Sequence, residues 1–216
     1  MKTAVIVFPG SNCDRDLAES LAAVSGQACL RLWHREPRLP DGIDLVGLPG
    51  GFSYGDYLRC GALAATSPIV ADLVNKVAGG LPVIGICNGF QILCEARILP
   101  GMLMANTGGR FVHRDETLRV ETNAGPFFKH QHKGRHLTFS LAHHDGCYQA
   151  DASTLDQLAQ EGRIAFTYTN NPNGSARDIA GILSENHRVL GLMPHPERHM
   201  DADGKRFFEA AMEALT

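Results

Sequence analysis

The stretch Val83-Ile84-Gly85-Ile86-Cys87-Asn88-Gly89-Phe90-Gln91 decides how the rest of the chain is read. Val83 to Ile86 is a short apolar run, the mark of a strand buried on both faces. Gly89 to Ala96 reads as a helix. Between them stands Gly-x-Cys-x-Gly, the pattern of a nucleophile elbow with Cys87 in the place of serine. A nucleophile on such a sharp turn requires small neighbours, because side chains at Gly85 or Gly89 would meet nearby backbone. The turn lifts the thiol over the end of the sheet. It also sets the thiol at a helix N-terminus, where the dipole and free N–H groups favour thiolate. The plain alternative is a buried cysteine before a tight turn, and the strand before and helix after favour catalysis over it. Cys94 shares a helix face with Cys87 and reads as core. Cys13 lies in another candidate loop and is the rival nucleophile.

Upstream of the elbow, apolar runs alternate with helical patterns. Ala4 to Phe8, Ala28 to Leu32 and Leu45 to Leu48 read as strands. Asp14 to Val24 reads as a helix, with Leu17, Leu21 and Val24 at helical spacing and Gly26 placed to end it. Pro68 suits a first helical turn, and Ile69, Leu73 and Val77 make an apolar stripe behind it. Alternation of this kind implies α/β architecture, with a parallel sheet covered on both faces. Ligands then bind beyond the carboxyl ends of the strands, which nominates the loops Pro9–Asp14, Pro49–Gly61 and Cys87–Gly89. Downstream, strand-like runs appear near Thr117–Glu121, Leu137–Ala142, Ile164–Tyr168, Ile179–Leu183 and Val189–Met193, and a helix near Gly204–Leu215 closes the chain. No linker divides the sequence, so one domain over 1–216 is expected.

A cysteine nucleophile needs a base, and the base needs a group that holds its tautomer. Among ten histidines, His195 stands out in Pro194-His195-Pro196-Glu197, at the end of an apolar strand. The prolines forbid a helix. In extended backbone, residues two apart point the same way, so Glu197 is expected beside His195. His195 and His199 have a metal-ligand spacing only if helical, and His130, His132, His143 and His144 lack a matching ligand pattern, so no metal site is expected. The run Pro49-Gly50-Gly51-Phe52-Ser53-Tyr54-Gly55-Asp56 follows the third strand. Adjacent glycines leave N–H groups unshielded, which suits an oxyanion hole. Gly51 and Asn88 are the expected donors, with Gly50 and Phe52 beside the substrate. No Gly-Lys-Ser/Thr follows, so this is not a phosphate loop.

Together these segments resemble class I (triad-type) glutamine amidotransferases. Gly85-Ile-Cys-Asn-Gly-Phe-Gln91 is similar to the family's nucleophile motif, and Pro194-His-Pro-Glu197 to its His/Glu motif. The likeness is strongest to a purine-biosynthetic branch. There Phe8-Pro-Gly-Ser-Asn-Cys-Asp14 resembles the first loop, and Pro49 to Gly61 the oxyanion segment. Asn170-Asn-Pro-Asn-Gly-Ser175 and Met193 to Arg198 complete a match that spans nearly the whole chain. The resemblance implies a flavodoxin-like, mostly parallel sheet with helices on both faces. It implies a Cys87, His195, Glu197 triad that hydrolyses glutamine, with Gln91 lining the pocket. It implies no cofactor in this chain. ATP, magnesium and formylglycinamide ribonucleotide are expected on a larger synthetase partner in the cytoplasm, with a small accessory subunit as a further candidate partner. The segment Ala142-His143-His144-Asp145-Gly146-Cys147 departs from the usual Ala-His-Gly-Glu-Gly-Arg at His144, Asp145 and Cys147, which puts any partner contact there in question.

Bulk properties agree. The formal net charge of −3 argues against a nucleic-acid footprint. No run approaches the ~18 apolar residues of a membrane helix, and the first apolar run is too short for a signal peptide. The six cysteines are scattered without a close pair, as expected of free thiols in a reducing compartment. The rival readings are a stand-alone thiol hydrolase and a non-catalytic partner module.

Overall fold

The computed structural model describes residues 1–215. Eleven strands occur among them: β1 (Thr3–Val7), β2 (Leu30–Trp33), β3 (Leu45–Leu48), β4 (Val83–Ile86), β5 (Met102–Met104), β6 (Val112–Val120), β7 (His136–His143), β8 (Cys147–Gln149), β9 (Ile164–Tyr168), β10 (Ile179–Leu183) and β11 (Val189–Leu192). Six α-helices accompany them: α1 (Asp14–Ser25), α2 (Ala62–Ala65), α3 (Pro68–Ala78), α4 (Asn88–Glu95), α5 (Ala152–Gln160) and α6 (Asp203–Leu215). Nine strands form one sheet in the order β2-β1-β3-β4-β11-β10-β9-β6-β7, and β5 pairs with β8 in a small second sheet.

From β2 to β11 every pairing is parallel. This is the doubly wound order expected of a flavodoxin-like core. β1, β3, β4 and β11 are apolar runs with almost no exposed residue, because helices cover both faces. Leu17 of α1 packs over Gly47 on one face, and Phe90 of α4 packs over Gly191 on the other. From β11 outward the pairing turns antiparallel, through β10, β9, β6 and β7. β7 alternates buried and half-buried or exposed residues, as a strand with one covered face does.

Element positions in the parallel half follow the apolar runs closely. The exception is β2, which starts two residues later than its sequence pattern and is mostly exposed at the sheet edge. Proline opens α3 at its first turn and Gly26 ends α1 in a left-handed conformation. In the antiparallel half β6 is longer than its apolar run, since its first residues pair with β7 while facing solvent. Helix α5 carries its own start signal: the Asp151 carboxylate accepts from the Thr154 N–H at 2.7 Å.

Four aromatic rings hold α6 to the antiparallel half. Phe207 meets Phe128, Phe139 and Phe166 with ring centroids 5.9 to 6.3 Å apart, in the edge-on or tilted arrangements that aromatic pairs favour. Phe207 is fully buried. Phe207→Ala should lower unfolding free energy by about 3–5 kcal/mol, read as a shifted midpoint in urea denaturation. A change below about 1 kcal/mol would mean that this cluster does not hold α6.

Candidate active site

Cys87 sits between β4 and α4 with φ 51 and ψ −105. A non-glycine residue there carries strain of order 1–3 kcal/mol that its surroundings must impose. They do so by close approach. A Cβ on Gly89 would fall 2.1 Å from the Leu48 carbonyl oxygen, and one on Gly85 2.5 Å from Leu93 Cδ1. Bare backbone at both positions lets the turn seat against β3 and α4. The Cys87 N–H donates to Leu192 O at 2.8 Å, while its carbonyl accepts from Phe90 and Gln91. The thiol is almost wholly buried, with Sγ 3.8 Å from Ala142 O.

Leu192, the partner of the Cys87 N–H, ends the strand that delivers the base. The His195 N–H donates to Ser140 O at 2.8 Å, which anchors the residue to β7. His195 Nδ1 and Glu197 Oε1 are 2.5 Å apart, and both side chains are buried. The expected pairing is present, but the backbone is not extended. Pro196 to Arg198 form a tight helical turn, with the Arg198 N–H donating to His195 O. The prolines exclude a regular helix and leave a single turn, which brings the two side chains together. Burial opposes charge on His195. Glu197 and the thiols of Cys87 and Cys13 outweigh it and hold the imidazole proton well above the ordinary histidine range. His199 turns away to Ser140 and Asp115.

The glycine-rich segment is tied down more firmly than its composition implies. The Gly50 carbonyl accepts from the N–H groups of Asn12 and Cys13 at 3.3 and 3.2 Å. Phe52 donates to Gly10 O, Tyr54 to Pro9 O, and the Ser53 N–H to the Asn88 side chain. Gly51 has φ 138, and a Cβ there would lie 2.5 Å from Asn12 N. Among the described residues, the N–H groups of Gly51 and Asn88 make no hydrogen bond. Phe52 is half exposed. The Gln91 side chain is buried; it donates to Asp145 O at 2.6 Å and accepts from Asn88 Nδ2 at 2.9 Å.

Sequence reasoning did not find the frame behind these loops. Asn106 donates through Nδ2 to the carbonyls of Arg110 and His143, which fixes its amide and points Oδ1 at His143 Nδ1 and the Gly146 N–H. His143 therefore donates from Nδ1, and burial, followed by the charge of His195, pushes the ring down to about 4. The segment Asn170 to Ser175 braces the same loop, since Asn173 donates to Gly146 O at 2.8 Å. Of the divergent residues, Asp145 accepts from the Cys60 thiol and pairs with His144, and Cys147 accepts from Gln149. The sequence sign of this frame is Asn170-Asn-Pro-Asn-Gly-Ser175, whose resemblance to the family carries no role. Tyr54 packs against and bonds to His34, and Arg59 pairs with Glu95, whereas Tyr57 is exposed.

Cys13, the rival nucleophile, also lies at this centre. Its sulfur accepts from Arg198 at 3.1 Å. One ligand atom from each of Cys13, His195 and Glu197 lies within 4.8 Å of the others, so among the described residues these three side chains could hold a metal ion.

Comparison with known proteins gives the family. Residues 1–214 match the family described as CobB/CobQ-like glutamine amidotransferase domain. The phosphoribosylformylglycinamidine synthase subunit PurQ of Zymomonas mobilis is 50% identical, with both chains covered in full. Its counterpart from Jannaschia sp. is 54% identical, covering 100% of this chain and 99% of the relative. A chain in the structure of PurLQS from Thermotoga maritima superposes with a TM-score of 0.88 at 37% identity, covering 100% of this chain and 99% of that one. A glutamine amidotransferase from Thermotoga maritima, 15% identical with a TM-score of 0.60, shares the fold. The elbow, the buried His/Glu pair and the full-length match together place this chain in the glutamine amidotransferase family.

Proposed function

We propose that the chain, acting as one domain, is the glutaminase subunit of phosphoribosylformylglycinamidine synthase. The observation that carries this is Cys87, held in a left-handed backbone conformation at the start of α4 beside the buried His195–Glu197 pair. Cys87 Sγ attacks the side-chain amide carbon of glutamine while His195, protonated beside Glu197, holds the proton. The N–H groups of Gly51 and Asn88 receive the oxyanion, each donor contributing about 10²–10³ in rate. His195 gives the proton to the departing ammonia, leaving a γ-glutamyl thioester on Cys87. It then activates the water that releases glutamate. Glu197 holds Nδ1 and offsets the imidazolium charge. Gly50, Phe52 and Gln91 line the glutamine pocket, Gln91 through the amide N–H not directed at Asp145. The ammonia passes to a larger synthetase subunit carrying ATP and magnesium, which converts formylglycinamide ribonucleotide to formylglycinamidine ribonucleotide. A small accessory subunit and a cytoplasmic setting belong to the same reading. No helix among the described residues is long and apolar enough to cross a membrane.

A diazo-ketone analogue of glutamine should label Cys87 alone among the six cysteines, as read by peptide mapping. Label on Cys13 with Cys87 unmodified would reverse the assignment. His195→Ala should reduce glutamine-dependent turnover by roughly 10²–10⁴, and Glu197→Ala by less. Both variants should still support synthesis from added ammonium salt in the reconstituted complex. A Glu197 variant more impaired than the His195 variant would contradict these roles.

Coupling to the synthetase should appear as activation. Two hydrogen bonds into the Gly50 carbonyl fix the Gly50–Gly51 peptide, so a simple flip of that peptide is disfavoured. The partner is instead expected to act on the neighbouring exposed residues Phe52, Tyr57 and Leu58. Steady-state kinetics on the isolated chain should show slow glutamine hydrolysis, with a rise mainly in kcat on adding synthetase with its nucleotide and substrate. Equal rates with and without the partner would remove the activation step and leave a stand-alone hydrolase.

A further inference from the structure

Cys13 has no part in the reaction above, yet it shares the base with Cys87. It is 2% exposed at the start of α1. Its sulfur, a nitrogen of His195 and an oxygen of Glu197 lie within 4.8 Å of one another. Thiolate, imidazole and carboxylate are the three side-chain donor types that bind zinc. Two of these side chains also carry unused ligand atoms. His195 Nε2 and Glu197 Oε2 are buried and have no hydrogen-bond partner among the described residues. An unpaired buried polar atom is costly; a cation beside Nδ1 satisfies Glu197 Oε2 and leaves Nε2, which serves the reaction, on the other side of the ring. The sulfur also accepts from Arg198. Hydrogen bonds of this kind from the outer shell support metal ligands, although the guanidinium charge itself opposes a second cation. Gly50 walls one side, its missing Cβ leaving just enough room for His195 Cε1 and Cys13 Sγ.

We propose that Cys13, His195 and Glu197 form a binding site for a thiophilic divalent cation, zinc first among them, and that the bound ion inhibits glutamine hydrolysis. The ion replaces the proton between His195 and Glu197 and the thiol proton of Cys13. It withdraws the imidazole from Cys87, so the proton transfers of the reaction stop. Zinc bonds of about 2.0–2.3 Å require Cys13 to close on the ion and the 2.5 Å contact between His195 Nδ1 and Glu197 Oε1 to open. Magnesium does not fit, because it demands oxygen ligands in octahedral array and only Glu197 supplies oxygen. A synthetase using magnesium would leave this site alone. The inhibitory consequence rests on the glutaminase reading; the binding does not.

Cobalt(II) is the probe, because a thiolate bound to it gives an intense near-ultraviolet absorption. The full chain and its Cys87→Ser variant should each bind one cobalt ion with that band, and one equivalent of zinc should displace it. Cys13→Ser should lose the band and bind at least about 100-fold more weakly, beyond the usual loss for an outer-shell partner. Glu197→Gln, a second variant that keeps the thiol, should also bind more weakly. In the complex with synthetase, zinc inhibition of Cys13→Ser, scaled to its own uninhibited rate, should shift by the same factor. A band that survives in Cys13→Ser and vanishes in Cys87→Ser would overturn the proposal. So would native-like binding in both Cys13→Ser and Glu197→Gln, or no band in the full chain. These arms decide the site even if the chain fails to hydrolyse glutamine.

Discussion

The first turn of α4 lies against the end of β3 so closely that Gly89 has no room for a Cβ beneath the Leu48 carbonyl. This contact holds Cys87 in its strained conformation, because a wider gap would let the turn relax into ordinary helical backbone. It also sets the level at which the Asn88 N–H emerges, and through the Asn88 side chain it reaches Ser53 in the glycine-rich segment. From there the network runs through Gln91 to Asp145, and through Asn106 and Asn173 to the loop after β7. The site is thus assembled from loops that lock one another through side-chain amides. Neutral amides can donate and accept without adding charge, which leaves Glu197 as the dominant negative group facing the histidine.

The parallel half of the fold was legible because its strands are buried on both faces, so four or five apolar residues between glycines mark each one. β3 and β4 fall where Leu45–Leu48 and Val83–Ile86 place them. The antiparallel half was less legible. β9 and β10 fall where their apolar runs place them, but the outer strands β6 and β7 bury one face only, so β6 continues through His113, Arg114 and Asp115 with no apolar signal. The order of strands there depends on pairings between distant segments, which local pattern does not carry. β5 and β8 escaped notice because each is three residues long, and α5 because only Leu155 and Leu158 of its residues are buried.

At the site, the nearness of side chains was partly readable and their conformation was not. His195 and Glu197 are neighbours as expected, though the cause is a tight turn after Pro196 and not an extended backbone. Two adjacent glycines allow a loose loop, yet the Gly50 carbonyl is held by the N–H groups of Asn12 and Cys13 just before α1. Glycine composition reports what conformations are allowed, and hydrogen bonds from elsewhere decide which one is kept. The contact between Cys13 and the histidine lay beyond sequence reasoning, because Cys13 and Arg198 are brought together only when the ends of the chain meet.

The place of β11 has a further consequence for how the molecule comes into being. β11 is last among the strands in sequence but central in the sheet, inserted between β4 and β10. Its partner on one side, β4, leaves the ribosome about half a chain earlier. Until β11 arrives, β4 keeps an open edge and the two halves of the sheet are not joined. Such non-local pairing is slow to form. The thiol is therefore synthesised long before its base, and no partial chain that stops short of β11 holds both. Acquisition of the histidine and completion of the sheet are one event, so the chain gains its chemistry only as it gains its fold.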